Sequence, residues 1–225
     1  MKLLEITQAV VPDQSALDLV MKGGVTMIVL LILCFWGTFV FIERYLTIKK
    51  AKKSPKELLK NVKSAVLQGD MQRAIDLCNE DGTPMAKMLK AGVKHIGSPL
   101  KNIEVAIENV GKIELYNLEK HVGVLGTISG AAPMIGFLGT VIGMITAFRS
   151  LAGIEQGAVD AQLLSTGIYE AMVTTAGGLI VGILAYITYN YLVRQVAEVV
   201  HQMEVTSIEF IDLLQQPNPK KAERV

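Results

Sequence analysis

Three long windows of this chain carry no charged side chain, and no other feature restricts its fold as strongly. Residues 23–42 end at Glu43-Arg44, residues 122–148 lie between His121 and Arg149, and residues 171–193 run from Glu170 to Arg194. Each reaches the roughly 20 apolar residues needed to cross a hydrocarbon core about 30 Å thick. A segment in lipid must satisfy its own backbone hydrogen bonds, so all three are expected as helices. A chain of 225 residues that is 51% hydrophobic is also too apolar for an ordinary soluble domain of that length. The first window exceeds the apolar core of about 7–15 residues in a secretion signal, and no small-residue cleavage site follows it. It is therefore expected as a true span.

Charge placement predicts the orientation. Eight basic residues (Arg44, Lys49, Lys50, Lys52, Lys53, Lys56, Lys60, Lys63) follow the first window directly. Only Lys2 and Lys22 precede it, and only Arg149 lies between the other two windows. The excess of Lys and Arg on cytoplasmic flanks then places the large polar segment and the C-terminus inside and the N-terminus outside. The basic run reads as a solvated face drawn to anionic membrane lipids. Arg149 and Arg194 read as anchors at the ends of spans two and three.

The polar segment reads as short helices separated by turn signals. Ser54, Pro55 and Glu57 have the spacing of a capping box. Asp70 suits an N-cap and Gly82 a stop; Thr83-Pro84 opens a further helix that Gly97 is expected to terminate. From Ser98-Pro99 onward no strong breaker occurs before Pro133. Ile103, Ile107, Val110, Ile113 and Leu118 repeat near the helical period, predicting one helix of about 50 residues, roughly 75 Å, running into span two. Span three likewise continues through Val196, Val199, Val200, Met203, Ile208, Ile211 and Leu214 until Pro217 and Pro219. Pro133 is read either as a tolerated kink or as a hinge.

The faces of spans two and three are uneven. Winding at 100° per residue from Glu170 brings Thr166, Thr174, Gly177 and Thr188 within about 40° of it. Gly178, Gly182 and Ala185 form an adjoining small-residue stripe. Around Thr140 lie Ser129, Pro133, Gly136, Gly143 and Ala147, with Ile135, Leu138, Ile142 and Ile145 opposite. Small residues alone are what any close helix packing in a bilayer selects, and Gly136, Gly143, Gly178 and Gly182 are assigned to it. Glu170 asks for more. A charged acid at the centre of a membrane helix costs about 2.5–3.5 kcal/mol on insertion scales, so such a group faces a bundle interior or water. A carboxyl group able to alternate between neutral and charged forms is the chemistry of a proton relay. An interfacial glutamate near the outer headgroups is the other reading, since Glu170 is only ten residues past Asp160.

Taken together, "APMIGFLGTVIGMITAF" (132–148) and "GIYEAMVTTAGGLIVGILAYITYN" (167–190) resemble the signature of the ExbB/TolQ/MotA family of ion-driven motor subunits. The three-span order, the stretch "LQGDMQRAIDLCNEDGTPMAKML" and the long polar extensions carry the likeness over nearly the whole chain. Three spans resemble ExbB and TolQ, whereas MotA-type subunits carry four. The resemblance implies a homopentamer in the bacterial inner membrane whose spans two and three line a pore around two single-span ExbD-like partners. It also implies a TonB-like energy transducer. By match to the motif, Glu170, Thr140 and Thr175 are the pore polar residues. Winding favours Thr174 instead, because Thr175 lies about 140° from Glu170. Thr174 and Thr175 are thus both candidates.

The expected architecture is all-α: a polytopic membrane protein of three spans, two of which extend far into the cytoplasm. Its segments are a periplasmic N-terminus (1–22), span one (23–43), a cytoplasmic helical domain (44–121), span two (122–148), a short periplasmic loop (149–164), span three (165–193) and a cytoplasmic helix and tail (194–225). The function expected is ExbB-like: a proton pathway energising TonB-dependent import. A TolQ-like envelope role and a non-conducting membrane scaffold are the alternatives. No nucleophile–base pair, metal-ligand spacing or phosphate loop points to an enzyme, a metal or a cofactor, because the glycines of "GFLGTVIG" lack a P-loop lysine. A net charge of +1 gives no reason to expect a nucleic acid partner. Cys34 lies in a span and Cys78 in the polar segment, so no disulfide is expected between them. His95, His121 and His201 read as solvated or interfacial side chains.

Overall fold

The computed structural model describes residues 23–52, 55–152 and 161–215. Ser54, Asp160, Pro217 and Pro219, the segment 1–22, most of the loop after Arg149 and the tail after Gln215 lie outside them. Among the described residues the chain is all-α, with α1 Gly24–Ala51, α2 Pro55–Gln68, α3 Met71–Asp81, α4 Pro84–Lys94, α5 Leu100–Glu119, α6 Val122–Ala152 and α7 Ala161–Gln215. Three helical stretches are long and apolar enough to cross a membrane: α1, the part of α6 that ends at Arg149, and α7. With 55 residues, α7 is roughly 80 Å long.

The chain forms two compact units. One comprises the described residues up to Val40 together with Val124–Tyr189. Here α6 and α7 run antiparallel at close range. A methyl group added at Gly178 would lie 2.6 Å from the Ala132 carbonyl oxygen and 2.9 Å from the Gly136 Cα. One added at Gly143 would meet Ala171 at 3.0 Å, and one at Gly182 would meet the Pro133 ring at 2.6 Å. Gly136, Gly143, Gly178 and Gly182 therefore all lie at this contact, where bare Cα atoms let two backbones touch. Pro133 stays inside a continuous α6. It lacks the N–H that would serve the Ser129 carbonyl, and that oxygen lies over Gly182. The unit's apolar core joins Met27 and Leu30 of α1 to Ile128, Ala132 and Ala185, with Ile135 packed on its edge. Ile135, wound opposite Thr140 with Leu138, Ile142 and Ile145, is half-buried against this core. Leu138, Ile142 and Ile145 are exposed.

The second unit holds residues 41–52, α2 to α5, the start of α6 and the described part of α7 beyond Tyr189. Its caps follow the sequence signals. The Asp70 side chain accepts from the Arg73 amide at 3.0 Å, and the Thr83 hydroxyl accepts from the Ala86 amide at 3.3 Å with Pro84 next. Gly82 closes α3 with φ +63°, the left-handed conformation glycine adopts freely. In contrast, α4 ends at Lys94 with His95 as its cap, so Gly97 (φ +102°) turns the chain after the helix has already stopped. Phe210 of α7 is fully buried against Gly92 and Ile107; a methyl at Gly92 would lie 2.7 Å from its ring. Phe210→Ala is expected to destabilise this unit by about 3–5 kcal/mol, the scale for emptying a buried aromatic site. Thermal unfolding of the detergent-solubilised protein followed by helical circular dichroism measures it.

The predicted 50-residue helix does not form. It breaks at Lys120-His121, between α5 and α6, with His121 at φ +66°. A continuous helix would bond the Asn117 carbonyl to the His121 amide. That carbonyl instead accepts from Arg44 Nη1 at 3.3 Å. Arg44 is buried and also paired with Glu43, whose other oxygen lies 3.7 Å from His121 Nδ1. The end of α1 thus supplies the partner that the break removes. Part of the basic run is likewise engaged: Lys52 Nζ donates to Gln195 at 2.7 Å and pairs with Glu198, and Lys63 lies 3.6 Å from Glu209. Such surface pairs are worth about 0–1 kcal/mol each.

Cys34 and Cys78 are both free thiols. Burial, assisted by the nearby Asp81 charge, pushes the Cys78 thiol up to about 11. At neutral pH it carries about a hundredfold less reactive thiolate than an ordinary cysteine. Because the folded value is raised, the associated stability is complete below pH 9 and is lost as pH climbs from 9 toward 11. In a Cys34→Ser background, maleimide is expected to label the native protein slowly at pH 7.5 and to accelerate across that window. Rapid labelling at pH 7.5 would contradict the buried thiol.

Candidate functional site

The polar residues singled out in spans two and three sort into different contacts within the first unit. Glu170 lies in α7 and is half-buried. Its carboxyl group occupies the space beside Gly24, the first residue of α1, so closely that a Cβ on Gly24 would clash with Oε1. It is the only carboxyl group in the apolar part of α7, residues 164–193.

Thr174 follows one turn further along α7 and is fully buried. Its hydroxyl donates to the Ala171 carbonyl at 2.9 Å and lies over the bare Cα of Gly139 on α6. The Thr26 hydroxyl of α1 reaches the same spot: a methyl at Gly139 would meet Thr174 Oγ1 at 2.5 Å and Thr26 Oγ1 at 3.0 Å. Thr175 turns to α6, where its hydroxyl donates to the Gly136 carbonyl at 3.1 Å. Thr140 is half-exposed, its hydroxyl donating to the Phe137 carbonyl at 2.5 Å within its own helix.

The structure brings Glu170 and Thr174 to the side of α7 that meets α1. Thr175 faces α6, and Thr140 stands apart from both. Sequence reading missed Gly24 and Thr26 altogether. Glycine and threonine at the head of an apolar window carry no signal of their own, and only the packing of α1 against α7 makes them neighbours of the acid. Around Thr140 and Glu170 much of the apolar surface stays uncovered: Phe137, Ile145, Met172, Ile180 and Ile183 are all exposed. No cluster of His, Cys, Asp and Glu able to hold a metal occurs among the described residues. A carboxyl group with hydroxyls at helical spacing can bind and release protons and orient water.

Residues 80–205 match the MotA/TolQ/ExbB proton channel family, a stretch that includes both α6 and the apolar part of α7. The chain belongs to that family. A putative biopolymer transport protein ExbB homolog from Methanothermobacter thermautotrophicus is 27% identical over 85% of this chain and 67% of its own length. Biopolymer transport protein ExbB of Aquifex aeolicus is 40% identical over 36% of this chain and 53% of its own. Tol-Pal system protein TolQ of Haemophilus influenzae is 40% identical over 35% and 34%. Both ExbB and TolQ proteins are thus among its relatives. The family is one of proton channels, and the named relatives are biopolymer transport and Tol-Pal system proteins. Three apolar helices and these relatives make the chain a multi-pass protein of the inner membrane.

Proposed function

We propose that this chain is the ExbB-like subunit of a complex that uses the proton-motive force to energise TonB-dependent import through the outer membrane. Five copies surround two single-span ExbD-like helices, with spans two and three facing the pore. The N-terminus is periplasmic, and the basic run after span one holds the large helical unit and the C-terminus in the cytoplasm. The observation that carries the reading is Glu170, the one carboxyl group in residues 164–193 of α7, with Thr174 one turn away. Protons move between Glu170 and partner carboxyl groups, while Thr140, Thr174 and Thr175 supply hydroxyls along the path. Each charge crossing 100 mV releases about 2.3 kcal/mol, so several steps supply mechanical work to the partners.

The likeness to TolQ supports a second reading, a subunit that energises the cell envelope. Deleting the gene separates the two. The ExbB-like reading expects loss of protonophore-sensitive outer-membrane uptake with an intact envelope. Normal uptake with leakage of periplasmic proteins and detergent sensitivity would transfer the assignment to the TolQ-like role. Purification through a tag on this chain is expected to recover a small single-span protein with an aspartate in its span. Recovery of this chain without any such partner would contradict the motor.

A further inference from the structure

We infer that the first turn of α1 is part of the ion site: Gly24 leaves the slot that receives the Glu170 carboxyl group, and Thr26 joins Thr174 beside it. The inference rests on Glu170 being the proton-carrying group proposed above, and it extends the site beyond spans two and three.

Two independent contacts support it. At Gly24 an added methyl would meet the end of the Glu170 side chain and nothing else within 4 Å. The clash would not push two backbones apart, as at Gly178; it would evict the carboxyl group. Gly24 also has φ +59°, so glycine serves both the turn into α1 and the space for the acid. The slot opens at the helix end where backbone amides lack intrahelical acceptors, a place that suits a carboxyl group. At Gly139, hydroxyls from α1 and α7 converge on one bare Cα of α6. Thr26 donates to the Gly23 carbonyl at 3.3 Å, which points its oxygen back toward the Gly24 turn. Thr26 thus reaches the buried Thr174 only two residues along α1 from the glycine that receives Glu170. Gly24 and Thr26 act as positioning residues: they set where the carboxyl group stands.

The test is a size exchange, read as proton uptake into proteoliposomes of the complex purified from native membranes through a tag on this chain. Gly24→Ala is expected to lower uptake by roughly tenfold to a hundredfold, the scale for a misplaced reacting group, with the complex still assembled. Glu170→Asp, one methylene shorter, withdraws the carboxyl group from the same slot and also lowers uptake. The double variant fits the added methyl to the shorter acid and should exceed either single variant. Gly82→Ala controls for strain, since Gly82 has φ +63° and open space around it; it should leave uptake unchanged. Thr26→Val is expected to cost about two- to tenfold, with Thr26→Ser retaining most of the uptake.

Wild-type uptake in Gly24→Ala, or a double variant that does not exceed both single variants, would overturn the inference. So would failure of both Gly24→Ala and the double variant to assemble, which would make Gly24 merely structural. Full uptake in Glu170→Gln would remove the proton-relay reading itself. Loss in Glu170→Gln together with a silent Gly24→Ala would remove only the role of α1.

Discussion

Cells whose only copy carries Glu170→Gln are expected to assemble the complex at wild-type levels and to lose gradient-dependent work. Glutamine keeps the length and planar shape of the side chain and can still donate and accept hydrogen bonds, but it cannot ionise. Packing beside Gly24 is therefore retained, and only the charge cycle is removed. Eliminating a positioned proton-transfer group typically costs on the order of 100-fold or more in rate, so transport should fall to background. Glu170→Ala should give the same functional loss. The two together separate ionisation from shape. Full activity in Glu170→Gln with loss in Glu170→Ala would mean that the acid serves only to pack helices, which is the scaffold reading. The assay is uptake with and without protonophore, beside the amount and size of the complex on a native gel.

The second large effect is structural and sets two adjacent glycines against each other. Gly178 faces backbone: the Ala132 carbonyl oxygen and the Gly136 Cα and N lie 2.6, 2.9 and 3.1 Å from an added methyl. None of these can move without separating α6 from α7, so Gly178→Ala is expected to cost about 2–3 kcal/mol and Gly178→Val more. Gly177 faces the thioether of Met27 at 3.1 Å. Methionine is unbranched and adapts, so Gly177→Ala should cost under about 1 kcal/mol. Thermal unfolding of the purified variants in detergent measures both. Equal destabilisation at the two positions would contradict the antiparallel contact in which Gly136 and Gly178 touch.

Much of this arrangement is legible in the sequence because its causes are local. Charge-free windows of spanning length fix α1, α6 and α7, since a chain in lipid has few other ways to satisfy its backbone. Asp70, Gly82 and Thr83 mark helix ends through interactions two to four residues away, and the folded chain uses all three as caps. The break at His121 is different. Its residue has no glycine-like freedom and no proline follows, and the hydrogen bond that compensates the freed Asn117 carbonyl comes from Arg44, 73 residues before Asn117. Sequence reading treated Arg44 only as the first charge of a basic flank. The early stop of α4 at Lys94 is local by contrast: the His95 amide bonds the Gly92 carbonyl and caps the helix ahead of the expected Gly97.

The candidate site divides along the same line. Helical winding brings Thr174 to the Glu170 side of α7, and the folded chain buries it there against Gly139. Thr175, selected through motif resemblance, bonds to α6 instead. What winding cannot supply is the angular position of a third helix. Gly24 and Thr26 become neighbours of the acid only because Met27 and Leu30 pack α1 into the core with Ile128, Ala132 and Ala185. That is tertiary information, and it is why α1 stays outside the site when spans two and three are read alone.

The central claim is that this chain conducts protons through a site whose ionising group is Glu170. Its most direct test is proton uptake into proteoliposomes holding the purified complex, driven by an imposed membrane potential and read with an entrapped pH dye. The wild-type complex is expected to acidify the lumen, and the Glu170→Gln complex, present at equal density, to match protein-free vesicles. Equal acidification by the two complexes would contradict the account.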